Sequence, residues 1–178
     1  MSLGGFLRWP LASANPEAAR AAIGSAAPAG AFPMVSVIEP AEAVIYSPDA
    51  PLAPQPGAMH YAMQKASDSG PVEERGTIVM LVTFDVPPEL TEEVDRWYDE
   101  EHIGLLMRAD GWLRARRFKV VSGTGGPCWT SLAFHELRDI SVMDSPERAF
   151  ARSTRWRAEL ERGEWFQKAG RGVFQWLS

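Results

Sequence analysis

The feature that most constrains this chain is an order of elements that leaves one side of a sheet uncovered. From residue 77 onward the hydrophobic pattern reads strand, helix, strand, strand, helix, strand. Ile78–Phe84 is a continuous apolar run of strand length, suited to a strand buried on both faces. Pro87 and Pro88 end that run, and Pro88 fits a first helical position. Glu89, Glu92 and Glu93 follow in the opening turns, where the helix dipole favours negative charge. Leu90, Val94 and Trp97 form the inner stripe, and Gly104 is expected to fray the helix. Residues 112–121 and 129–137 read as paired strands. The loop at 122–127 between them is glycine-rich but lacks the lysine and following helix of a phosphate cradle. Ser145-Pro146-Glu147 opens a second helix with an inner stripe of Phe150, Ser153, Trp156 and Leu160. Arg152, Arg155, Arg157 and Arg162 interleave there with glutamates and read as a solvated face. Residues 173–177 close as a last strand. Two helices shield one face of a four-stranded sheet, so the other face must be roofed by something else.

The roof has two candidate sources. Nine of the 14 prolines precede residue 70, and residues 1–70 carry only eight charged side chains. Residues 67–76 are polar and turn-forming and read as a linker between residues 1–66 and a second unit at 77–178. Within the first unit, residues 5–9, 33–38, 43–47 and 58–63 are each suited to a short strand. Pro16–Ile23, with Asn15 as cap, suits a helix. That is the order of the second unit with one helix missing. Residues 1–66 are therefore either a degenerate ferredoxin-like half that closes a barrel within the chain, or a loosely packed Pro/Ala-rich arm. In the second case a homodimer supplies the roof.

Composition removes several classes of function. A net charge of −5 argues against a general nucleic-acid binder. A single cysteine, Cys128, excludes an intramolecular disulfide and a thiolate metal cluster, and reads as structural. No apolar run approaches the length of a membrane span, and the N-terminus lacks a basic-then-apolar signal pattern. A cytoplasmic protein without membrane attachment is the expectation. Three scattered histidines establish no metal site, and no cofactor signature is present, so the expected cofactor list is empty.

Four segments together carry a family resemblance. They are Phe84-Asp85-Val86-Pro87-Pro88, the run Trp97-Tyr98-Asp99-Glu100-Glu101-His102-Ile103, residues 111–120, and Leu132-Ala133-Phe134-His135-Glu136-Leu137. Over about residues 77–177 the chain resembles the EthD-like branch of the dimeric α/β-barrel superfamily. The resemblance implies an α+β fold: a ferredoxin-like βαββαβ half-barrel whose open face meets a second half, in a dimer or pseudo-dimerically within one chain. It implies a small cavity and, among relatives, enzymes acting on aromatic or polyketide-like molecules. Gly104 and His135 stand where the family often has proline and tyrosine.

Alternation along the strands nominates the chemistry. If the more apolar set of the third strand (Leu132, Phe134) lies beneath the helices, His135 and Ser131 face the barrel cavity, with Thr83 beside them. A desolvated, neutral His135 then suits a base. His102 lies one turn from Tyr98 and three residues from Asp99, a spacing that lets the carboxylate orient the imidazole. Arg117 is a candidate anchor for an anionic group. The expected activity is binding of a small apolar or aromatic molecule, with cofactor-independent isomerase, cyclase or lyase chemistry on a His base. A non-catalytic binding or assembly module, and a cofactor-free or haem-dependent monooxygenase, are the alternatives.

Overall fold

The computed structural model describes residues 3–70 and 76–177, and these form one closed, fully antiparallel barrel of eight strands. The strands are β1 (Leu3–Pro10), β2 (Phe32–Ser36), β3 (Glu42–Ser47), β4 (Met59–Asp68), β5 (Ile78–Phe84), β6 (Trp112–Thr124), β7 (Ser131–Leu137) and β8 (Gly170–Trp176). Around the barrel they run β1-β3-β2-β8-β5-β7-β6-β4, and β4 pairs with β1 to complete the circle. The fold is α+β and ferredoxin-like, with the open face of the C-terminal sheet roofed by β1–β4. Closure takes no second chain. β4 extends to Asp68, inside the stretch read as a linker, of which residues 71–75 lie outside the described residues.

Local sequence explains most elements. Helix α1 (Pro16–Ile23) begins at a proline, and the Asn15 side chain accepts the Ala18 N–H at 2.8 Å, as a good cap does. After a 3-10 turn at Pro88–Leu90 comes α2 (Thr91–Trp97), which buries Val94 and Trp97. A π turn at Tyr98–His102 then passes directly into α3 (Ile103–Leu106). Gly104 does not fray this helix; the chain stays helical to Leu106 because the π turn re-phases it without breaking it.

The expected second helix is three short ones, α4 (Pro146–Ala151), α5 (Arg155–Leu160) and α6 (Glu164–Gln167). The Thr154 hydroxyl caps α5 by accepting the Arg157 N–H, so the helical phase restarts there. Phe150, placed inside by a continuous period, is therefore 58% exposed, and Arg157, read as solvated, is buried.

Every strand contributes apolar side chains to the barrel interior, including Phe6, Met34, Tyr61, Leu81, Phe118 and Phe174. Tyr46 stacks on Phe134 with ring centroids 3.9 Å apart, and Phe6 meets Phe134 edge-on at 5.2 Å. Eight strands enclose a space that side chains just fill. The cavity expected inside the barrel is occupied by aromatic rings.

The outer faces of the sheet are covered separately. α1 and Leu52 cover the N-terminal strands, meeting Leu7, Val35 and Ile45. Helices α2–α6 cover the C-terminal strands through Met80, Phe84, Trp97, Trp112 and Phe166.

Candidate functional site

The strand register decides where the histidine of β7 goes. Met80 pairs with His135, and Met80 lies on the helix side of β5 with Ile78, Val82 and Phe84. His135 is therefore on the outer face beneath the helices, and Leu132 and Phe134 point into the barrel. The opposite orientation expected from the sequence fails because the barrel interior is as apolar as the helix-covered side. Relative hydrophobicity within one strand cannot then choose the face.

Beneath the helices His135 opens onto a cavity of about 150 Å³. Its walls are Met80, Val82 and Phe84 from β5, Trp112 from β6, Trp97 and Leu106 from the helical layer, and Phe166 from α6. Tyr98 and His102, on the π turn, complete them. Three of the nominated residues, His135, His102 and Tyr98, thus share one pocket, although not the pocket expected. A cavity of about this volume holds a benzene-sized guest.

The two imidazoles are neutral and oppositely poised. Burial, and then the charge of neighbouring His102, push His135 down to about 3. Its Nδ1 accepts the Trp112 Nε1–H at 3.2 Å, which leaves the ring proton on Nε2. Burial, and then the charge of Arg157, push His102 down to about 4. His102 donates its ring N–H to the Ala151 carbonyl, while its Nδ1 is buried without a partner among the described residues. His102 thus has a buried Nδ1 without a partner among the described residues, and His135 an N–H on Nε2. The Trp97 indole N–H, on a ring stacked 4.3 Å from His102, also lacks a partner among the described residues. Burial pushes the Tyr98 phenol up to about 12, against the pull of Arg117, so it too is neutral.

The remaining nominations resolve differently. Asp99 does not orient His102; its carboxylate accepts from Arg117 at 3.2 Å, and the Ala151 carbonyl accepts the histidine's ring N–H instead. Arg117 is no free anchor. Its guanidinium is buried, bonded to Asp95 and Asp99, and lies 4.3 Å over the Tyr98 ring. Thr83 shares the barrel face with Val79 and Leu81, and Ser131 lines a separate groove with Thr130, Val94 and Lys119. Neither touches the pocket of the histidines. Outside it, His60 bonds the Leu52 carbonyl at 2.8 Å. Cys128 is exposed in the loop before β7.

Arginines are what sequence reasoning missed. Arg148 of α4, Arg152 at its end, Arg157 of α5 and Arg171 of β8 all line the pocket. The Ser153-Thr154 pair, a capping signature in the middle of an apparent helix, was the available signal. No group of three or more His, Cys, Asp or Glu suited to a metal occurs among the described residues. No helix among them is long and apolar enough to cross a membrane.

No family model and no curated protein matches the sequence. Solved structures do match in fold. An anthrone oxidase-like protein is 11% identical with a TM-score of 0.67, over 99% of this chain and 92% of that one. A ferredoxin-fold protein from Listeria monocytogenes related to antibiotic biosynthesis monooxygenases is 8% identical with a TM-score of 0.60, over 99% and 95%. A haem-degrading enzyme from the same species is 8% identical with a TM-score of 0.59, over 97% and 98%. The fold is the ferredoxin-like α+β fold that these structures share.

Proposed function

We propose that the chain binds a small, single-ring aromatic molecule in the pocket between the C-terminal sheet and its helices, and moves a proton on it. His102 Nδ1 takes the proton from an acidic C–H or O–H group. The N–H of His135 donates a hydrogen bond to the oxygen on which negative charge develops, and Tyr98 closes the floor. The roles of the two histidines are thus the reverse of a His135 base, because Trp112 occupies the lone pair of His135 and nothing among the described residues occupies that of His102. That pair of opposed neutral imidazoles in an aromatic pocket is the observation that carries the reading. The Trp97-to-Ile103 run supports an EthD-like affiliation.

A second reading draws on the neighbours. Several bear monooxygenase or oxidase names, and a deprotonated, electron-rich ring is the form that reacts with dioxygen without a cofactor. Haem fits poorly: about 150 Å³ lies below the roughly 300 Å³ at which drug-sized ligands begin, and His102 is stacked on Trp97.

Long-range proton–nitrogen NMR at pH 7, with and without phenol, tests the reading. Both rings should carry their proton on Nε2, and phenol should shift both. A proton on His102 Nδ1, or phenol leaving both rings unmoved, overturns it. Oxygen uptake with an electron-rich phenol then separates oxygenation from proton transfer.

A further inference from the structure

Four arginines converge on one pocket of a protein whose net charge is −5. They come from three elements, α4 with its C-terminal cap, α5 and β8, and no Asp or Glu joins them in the lining among the described residues. Glu161 offsets one of them, accepting from Arg157 at 2.8 and 3.3 Å. Arg157 also lies 5.3 Å over the Phe166 ring and donates to the Arg152 carbonyl. Arg148 donates to the Met143 carbonyl, a neutral acceptor. Arg152 and Arg171 have no carboxylate partner among the described residues, and both are exposed. Like charges gathered without counter-charge are unfavourable, and here burial and then Arg152 lower the proton affinity of Arg148. A planar carboxylate matches the guanidinium fork and removes that repulsion.

Burial orders the pocket from mouth to floor. Arg152 and Arg171 are exposed, Arg148 is half-buried, and Trp97, Tyr98 and His135 are almost inaccessible. We infer that the site selects an aromatic acid of one ring, its carboxylate at the mouth among Arg148, Arg152 and Arg171 and its ring between Trp97, Trp112 and Phe84. The inference rests on the proposed pocket and adds the class of its ligand. Anchoring the acid at the mouth sets the far side of the ring against His102 and His135. The arginines do not touch the transferred proton; they fix which ring enters and how it is turned.

Calorimetry on the intact chain with salicylate, benzoate, phenol and phenyl phosphate tests this. Salicylate and benzoate should bind at least about tenfold more tightly than phenol, and added sodium chloride should weaken them selectively. The variant carrying Arg152→Gln and Arg171→Gln should lose about tenfold for the two acids and hold its phenol affinity within about twofold. Its substitutions are at exposed positions, and an unchanged melting curve verifies folding. Equal binding of phenol and benzoate, or acids indifferent to salt and to both substitutions, overturns the charge selection and leaves the pocket standing. Phenyl phosphate binding more tightly than benzoate overturns the carboxylate assignment. If no probe binds, or if Val82→Phe in the wall leaves the binding of every probe unchanged, the pocket reading fails with it.

Discussion

The two halves of the barrel share strand order and a common interior but seal their outer faces differently. On the N-terminal half one helix, α1, and the segment carrying Leu52 lie directly on the strands. Contact there is close: a Cβ on Gly5 would sit 2.6 Å from the Leu52 nitrogen. On the C-terminal half three large aromatic side chains, Trp97, Trp112 and Phe166, stand between sheet and helices with two histidines among them. Small residues let a covering segment settle onto a sheet. Large rigid ones prop the cover away and leave a space. The same fold therefore carries a closed face and an open one.

The largest expected effect is acid sensitivity confined to the propped half. His102 and His135 have folded values of about 4 and about 3, below the ordinary 6.5 of the unfolded chain. Below pH 6.5 the unfolded chain binds more protons than the folded one, so stability rises with pH. The contribution is complete above about 6.5 and is lost as pH falls toward 4 and 3. Each histidine adds a slope of up to about 1.4 kcal/mol per pH unit in that window. Urea unfolding between pH 7 and 4 should show it, and a variant with His102→Gln and His135→Gln should flatten it. Hydrogen exchange at pH 5 should loosen α3 and α4 before α1. Uniform loosening of both halves breaks the comparison.

A matched pair of glycine substitutions sharpens it further. Gly5→Ala drives a methyl into the Leu52 backbone and should cost about 1–3 kcal/mol. Gly104→Ala, within α3, meets nothing within 4 Å and should instead stabilise by about 0.5–1 kcal/mol through helix propensity. Chemical denaturation of both variants gives the signs. A tolerated Gly5→Ala would mean that the Leu52 segment yields and that the N-terminal face is not tightly sealed.

How much of this was legible follows the range of each interaction. β5 and α1 could be read to the residue because their signals are local: an apolar run stopped by prolines, and an asparagine cap before a proline. The face of β7 could not be read, because Leu132, Ala133, Phe134 and Leu137 are apolar on both sides and only pairing with β5 orients His135. Asp99 and His102 are close in sequence, yet their partners, Arg117 and Ala151, come from distant segments. Arg157 was misplaced because one capped break at Thr154 re-phased the helix. Residue types could therefore be read from local sequence where the faces they occupy and their partners could not.

The smallest effect separates the two halves at their helix caps. Among the described residues the Asn15 side chain serves α1 alone; its amide nitrogen otherwise reaches only Ser13. Asn15→Ala should cost about 1 kcal/mol. Thr154 does two things: it accepts the Arg157 N–H that starts α5, and its hydroxyl donates to Glu101 of the π turn at 2.7 Å. It ties the helical layer on one side of the pocket to the layer on the other. Thr154→Ala should therefore cost more than Asn15→Ala, by about one further hydrogen bond of 0.5–1.5 kcal/mol. Thr154→Ser keeps both bonds and should restore most of the loss. Phenol and benzoate titrations carry the functional half of the test. Thr154→Ala should weaken both probes together, since it loosens the walls rather than the charge at the mouth, and Asn15→Ala should leave both unchanged. Equal stability losses at the two caps, with probe binding intact in each, would mean that the propped half is held by its aromatic side chains alone.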